Sequence, residues 1–168
     1  MRKEQKKPFT TVSRIRRLFL EEPERMAACK NWALEIDQLQ RILFPILDYQ
    51  ASVVCSACLD PCCLEKEAYF QVPDLLFISA LGHESPDSAG PVPPKGCRFF
   101  FDKGCTLPRP SRPFVCNEFF CEPFKNTFHQ ESQEALFHIE NLFSEIRVLR
   151  RRLQNAYLGI YEGDSHAV

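Results

Sequence analysis

CRFFFDKGCTLPRPSRPFVCNEFFC, residues 97–121, sets Cys97, Cys105, Cys116 and Cys121 among aromatic side chains and a proline-stiffened turn. A second group stands upstream in CSACLDPCC, residues 55–63, at Cys55, Cys58, Cys62 and Cys63. Eight of the nine cysteines therefore fall within residues 55–121. A single buried thiol is a small hydrophobe wherever a core needs one, but eight so closely gathered are poorly explained that way. The pattern predicts a metal-centred segment with the rest of the chain folded about the thiolates.

The C-x-x-C step from Cys55 to Cys58 lets one tight turn aim two sulfurs at one metal. Pairs of such turns from separate segments close tetrahedral zinc sites or cradle an iron–sulfur cluster. Adjacent side chains diverge, so Cys62 and Cys63 need not serve the same ion. Eight thiolates make two four-cysteine sites, or one site with spare thiols, and sequence leaves both open. Four thiolates on Zn2+, or on an oxidised 4Fe–4S core, leave a net charge of about −2, which calls for donors and cations nearby. Lys103, Arg109 and Arg112 are near enough in sequence, Arg112 being best placed before Cys116. His83 reads as a solvated loop histidine, and His129, His138 and His166 are scattered. Asp60 and Glu65, flanking the first group, read as surface acids, since beside thiolates they would add repulsion.

On either side the sequence reads as helix. A chain of 168 residues, 45% hydrophobic and with fifteen Phe, can bury a core as one domain. Val12, Ile15, Leu18 and Phe19 predict a short helix over 9–20. Trp32, Ile36, Leu39, Leu43 and Ile46 predict a long amphipathic one over about 22–53, opened by Glu21-Glu22-Pro23-Glu24 and kinked at Pro45. Cys29, early on that helix, reads as a buried hydrophobe rather than a ligand. AYFQV (68–72) predicts a short strand, and Pro73-Asp74 opens a helix that stops at Gly82. Residues 83–96, with four prolines and two glycines, read as a surface loop. A candidate capping box at Thr127 and Gln130 leads into a stripe of Leu136, Ile139, Phe143, Ile146, Leu149, Leu153 and Tyr157, with the helix ending at Gly159 and the last residues fraying. The expected architecture is mainly α: N-terminal helices (1–54), a small cysteine-rich core with irregular loops (55–121), and a C-terminal helix and tail (122–168). The two long helices should pack on each other.

Net charge is −1, which points to no nucleic-acid partner, although residues 1–20 carry seven Lys/Arg against Glu4 alone. No signal peptide is apparent, because Arg14, Arg16 and Arg17 interrupt the apolar run near the start. No stretch approaches the ~18 apolar residues of a membrane span. A cytoplasmic location follows as the expectation, where thiols stay reduced and serve as ligands rather than disulfides.

The ordered combination of Cys55, Cys58, Cys62, Cys63, then Cys97, Gly104-Cys105, Arg112-Pro113-Phe114-Val115-Cys116 and Cys121 resembles the bacterial zinc- or iron-chelating cysteine-cluster family, the CxxCxxCC or YkgJ-like proteins. The likeness covers roughly residues 55–121. One spacing departs from it: three residues separate Cys58 from Cys62, where the family name has two. The resemblance implies eight metal-liganding cysteines and no settled reaction. Three function classes remain in view. One is a metal-binding protein holding zinc or an iron–sulfur cluster in a structural, redox or sensing role. Another is an enzyme whose cluster supports group transfer, since flagellin lysine methylases carry a similar cluster. The third is an adaptor that binds a protein partner through its long helices. HExxH, GxSxG and a complete phosphate-binding loop are all missing from the sequence.

Overall fold

The computed structural model describes residues 11–55, 57–64, 68–83, 96–101, 104–131 and 133–165, with side chains except at 129–131 and 161–165. The expected surface loop over 84–95, the basic residues at 1–10, Glu65, Lys103, His166 and the side chains of His129 and Gln130 lie outside that description.

The fold is mainly α-helical. Helix α1 spans Thr11–Glu21, α2 Ala27–Val54 and α3 Val72–Leu81. Two short strands follow, β1 (Phe100–Phe101) and β2 (Gly104–Cys105), and then α4 (Phe114–Glu118), α5 (Glu122–Glu131) and α6 (Gln133–Ser165).

Helices α2 and α6 form the frame. Helix α2 buries Cys29, Ala33, Ile36, Gln40, Leu43, Phe44, Leu47 and Gln50, a run at helical spacing. Trp32, Leu39 and Ile46, expected at the centre of that face, are only partly buried along its edge. The stripe is thus turned by a fraction of a residue step, and Arg152 lies over the Trp32 ring at 5.2 Å. On α6 the expected stripe holds: Ile139, Phe143, Ile146, Leu149, Leu153 and Tyr157 are buried, with Leu136 packed at the margin. Cys29 Sγ lies 4.0 Å from the Leu153 carbonyl, and Leu39 and Leu149 line one groove, so the two helices run antiparallel.

Helix α3 is apolar on nearly every side and wedges between α1, α2 and α6. It closes at Gly82, whose φ of 71° is the left-handed conformation that lets its N–H reach the Ile78 and Ser79 carbonyls. Lys30 donates to the Ala80 carbonyl, placing a cation at the negative end of the helix.

Four expectations are corrected. Glu22–Met26 is not the first turn of α2 but the turn that leaves α1: the Met26 N–H bonds the Glu22 carbonyl at 3.0 Å, and α2 starts at Ala27. Residues 68–71 are not a strand; they run extended into α3, while the strands form at 100–101 and 104–105. Thr127 is not a cap, since it sits inside α5 with its hydroxyl bonded to the Phe124 carbonyl at 2.8 Å. Gly159 does not end α6, which continues to Ser165, because an exposed glycine weakens a helix without compelling a stop. One helix also runs through Pro45, whose exposed flank leaves the unpartnered carbonyl to water.

Cys29, fully buried, has its thiol pushed up from 9.0 to about 11 by burial. A raised folded value keeps the proton, so this contribution is complete below pH 9 and is lost between 9 and 11, where the unfolded chain ionises first. In metal-free, reduced protein, Cys29→Ala should cost about 1–2 kcal/mol near neutrality, for a small buried group. Urea melts across pH 8–11 should show the gap between parent and variant narrowing as pH rises. A constant gap would contradict this burial.

Candidate metal centre

The cysteine segment has little regular structure of its own and is set by the helices around it. The first group continues from the end of α2: the Cys55 N–H still bonds the Ala51 carbonyl at 2.9 Å, and the Cys58 N–H turns back to the Cys55 carbonyl at 3.3 Å. Cys62 and Cys63 follow on a single 3-10 turn, Cys62–Leu64.

The downstream segment then docks on that turn. The Cys97 N–H bonds the Cys63 carbonyl at 2.8 Å. Just before it, Gly96 has φ 83°, and a Cβ there would come within 3.1 Å of the Cys63 carbonyl oxygen and the Leu64 backbone. Only glycine allows that approach. The β1–β2 ribbon pairs Phe100 with Cys105 and returns the chain beside Cys97. Arg109–Ser111 makes a second 3-10 turn, and Cys116 lies on α4. Cys121 immediately precedes α5 and is half-buried against the core.

The thiols crowd one another. Cys55 is pushed above the usual thiol range by burial and by the neighbouring thiols of Cys62, Cys121 and Cys58. Cys63 is pushed up by a hydrogen bond with Cys62, by burial, and by Cys62, Cys97 and Cys105. Cys116 is pushed up to about 11 by burial and by Cys97 and Cys105. Cys62 thus faces both Cys55 and Cys63, and thiols from the two ends of the 55–121 stretch lie near one another. Cys55 and Cys116 keep open surfaces, yet crowding around their sulfurs still disfavours the charged form.

No disulfide links any of the nine cysteines. Among the described residues, no three Cys, His, Asp or Glu side chains stand in ligating geometry about a single point. The donors nonetheless fit a thiophilic metal in kind: eight thiols near one another, with two cations beside them.

Those cations are two arginines. Arg109 is buried, donating to Asp48, to the Leu47 carbonyl at 2.9 Å and to Asn117 Oδ1 at 3.5 Å. Burial lowers its pKa, with Asp48 opposing, and its charge favours the Cys55 thiolate. Arg112 donates from Nε to the Leu107 carbonyl at 2.9 Å, inside the loop between Cys105 and Cys116, and its charge lowers Cys116. It bonds the loop backbone, the carbonyl option among those its position allowed.

The sequence reading ranked Arg112 above Arg109, and it passed over Asp74, Arg150 and Asn117 altogether. The repeated R-P of RPSRP signals two fixed arginines, but which one is buried depends on Leu47 and Asp48 near the end of α2, 62 and 61 positions upstream. Asp60 is exposed, as expected for a surface acid, and His138 is exposed on α6. His83 stands apart from the thiols; its ring packs at 6.0 Å from Phe77, and its carbonyl accepts from Arg16 at 2.5 Å.

Comparison of the chain with protein-family models, curated proteins and solved structures finds no match.

Arg109 and Arg112 should separate in a stability measurement on metal-free protein. Arg109→Ala removes buried charged hydrogen bonds and should cost about 1.5–3 kcal/mol or more. Arg112→Ala removes one partly exposed bond and should cost about 1 kcal/mol. Equal losses in urea melts would refute the assignment of Arg109 as the buried anchor.

Proposed function

We propose that this protein binds a thiophilic metal, as zinc or as an iron–sulfur cluster, through its clustered cysteine thiolates, in a structural, redox or sensing role. The observation that carries this reading is that thiols up to 66 positions apart in the chain, from Cys55 to Cys121, are near enough to disfavour one another's ionisation. Thiols crowded together resist ionisation, and a metal ion is what turns that crowding into attraction. Cys55, Cys58, Cys62, Cys63, Cys97, Cys105, Cys116 and Cys121 would supply the ligands, to one centre or to two. Zinc in such sites supplies folding energy; an iron–sulfur cluster supplies one-electron chemistry. Arg109 and Arg112 offset the negative charge, Arg109 from a buried position and Arg112 through the loop it braces.

The motif likeness to the cysteine-cluster family supports the same reading. So does the environment it needs: a reducing compartment, the cytoplasm, keeps thiols available. No helix among the described residues is long and apolar enough to cross a membrane.

The adaptor reading loses its strongest motive, because α2 covers the apolar stripe of α6. For an enzyme, the natural place would be a cleft beside a thiolate. A cavity of about 360 Å3 does lie between α2 and α6, but it is lined by Glu35, Gln38, Leu39, Ser144, Glu145, Val148, Leu149 and Arg152, with no cysteine.

Anaerobic purification followed by metal and acid-labile sulfide analysis tests the proposal. The expected result is either up to two zinc per chain in colourless protein, or iron with sulfide in brown protein. Arg112→Ala should lower affinity in chelator competition by roughly 10–100-fold, the usual cost of losing a group behind the ligands. Protein isolated with eight freely titrating thiols, and taking up neither zinc nor cobalt, would overturn it.

A further inference from the structure

Asp74 is the third residue of α3, and a carboxylate there has an ordinary local duty. Its Oδ2 accepts the Gln71 N–H at 2.8 Å, one half of a capping box. That duty needs no burial, yet Asp74 is only 3% exposed.

The other oxygen explains the burial. Asp74 Oδ1 accepts the backbone N–H of Phe114 at 3.0 Å, forty residues on. It also accepts Nη1 of Arg150, from α6, at 2.6 Å. Arg150, 7% exposed, reaches Gln71 Oε1 at 3.3 Å with its other nitrogen and lays its guanidinium 4.4 Å from the centre of the Phe114 ring. Phe143 closes the far side of that ring edge-on at 5.9 Å.

Phe114 opens α4, a helix of five residues that no propensity could hold alone. The residue before it is Pro113, which gives no side-chain cap. The Phe114 N–H is one of the donors a helix start leaves unpaired, and Asp74 pairs it across the fold. Cys116 lies two residues further, its own N–H bonded to the Pro113 carbonyl at 2.9 Å. Asn117 Nδ2 bonds the Arg109 carbonyl at 3.3 Å and so holds the other end of the same turn.

We propose that Asp74, held by Arg150, is a positioning residue for Cys116: its buried carboxylate fixes the first turn of α4 and with it the place of that thiol among the clustered cysteines. The proposal rests on the metal-binding reading above, and it adds two residues outside the 97–121 segment on which that site depends.

The test separates the acceptor from the ion pair. Arg150→Met is the background, so that changing Asp74 strands no buried cation. In it, Asp74→Asn keeps an oxygen for the Phe114 N–H, while Asp74→Leu keeps the volume and loses the acceptor. Zinc affinity is read by chelator competition, and amide exchange of residues 114–119 and 75–81 is read in metal-free protein. The Asn double variant should hold zinc within about threefold of the Arg150→Met single variant. The Leu double variant should lose roughly tenfold or more, by the usual cost of disturbing a ligand's support. Its exchange over 114–119 should quicken by a similar factor relative to the Asn double variant, whereas 75–81, where both variants lose the Gln71 cap, should respond alike in the two. If the Leu double variant does not fold, Asp74→Glu in the parent, which displaces the carboxylate by one methylene, takes its place with the same expected losses against the parent. Leu and Asn variants alike in both measurements would overturn the proposal. If the parent holds neither zinc nor iron with sulfide, the metal-binding reading falls, and equal exchange over 114–119 in the two double variants would still refute the positioning role on its own.

Discussion

A carboxylate that is 3% exposed must find donors for both oxygens, and Asp74 draws them from three places: Gln71 before α3, Phe114 at the start of α4, and Arg150 on α6. The pairing therefore fixes more than one helix end. It sets where the long C-terminal helix, the apolar wedge of α3 and the downstream cysteine segment meet. Arg109 does the same on the opposite side of α4, joining the end of α2 to the 3-10 turn and to Asn117. Among its described residues the cysteine segment holds four of strand, so it takes its form from these two buried charges and from the helix frame.

The thiols oppose that assembly when nothing binds them. Cys55, Cys63 and Cys116 are all pushed toward the protonated state by burial or by one another. Neutral thiols are tolerable neighbours where thiolates would repel, so the protein can gather its sulfurs before they are ionised. A thiophilic ion then displaces protons as it binds, which makes its affinity rise with pH. The buried Cys29 stands outside this economy, with only the core for company.

Much of the frame was legible because it rests on one-dimensional patterns. The α6 stripe and the Pro73–Gly82 helix need only local periodicity and end signals, and both came through. The errors fell where a partner distant in sequence decides the outcome. AYFQV has strand-like residues, but extended backbone becomes a strand only when another strand pairs with it, and none among the described residues does. Thr127 and Gln130 imitate a helix start, yet packing of Phe124 and Phe128 against Phe120 carries α5 through them. At the site, the cysteine spacing announced the thiols, whereas their meeting depends on how the Cys97 segment docks on the Cys62–Leu64 turn. Asp74 and Arg150 were invisible for the same reason: each is unremarkable until the other is beside it.

The Cys62–Leu64 turn has a consequence of its own. Cys62 and Cys63 occupy consecutive positions of one turn, so neither can be reoriented without the other. The carbonyl of Cys63 also receives the Cys97 N–H, so the same turn is the seat on which the downstream segment docks. A change that twists this turn would thus be felt at once by both cysteine groups, rather than by one of them alone.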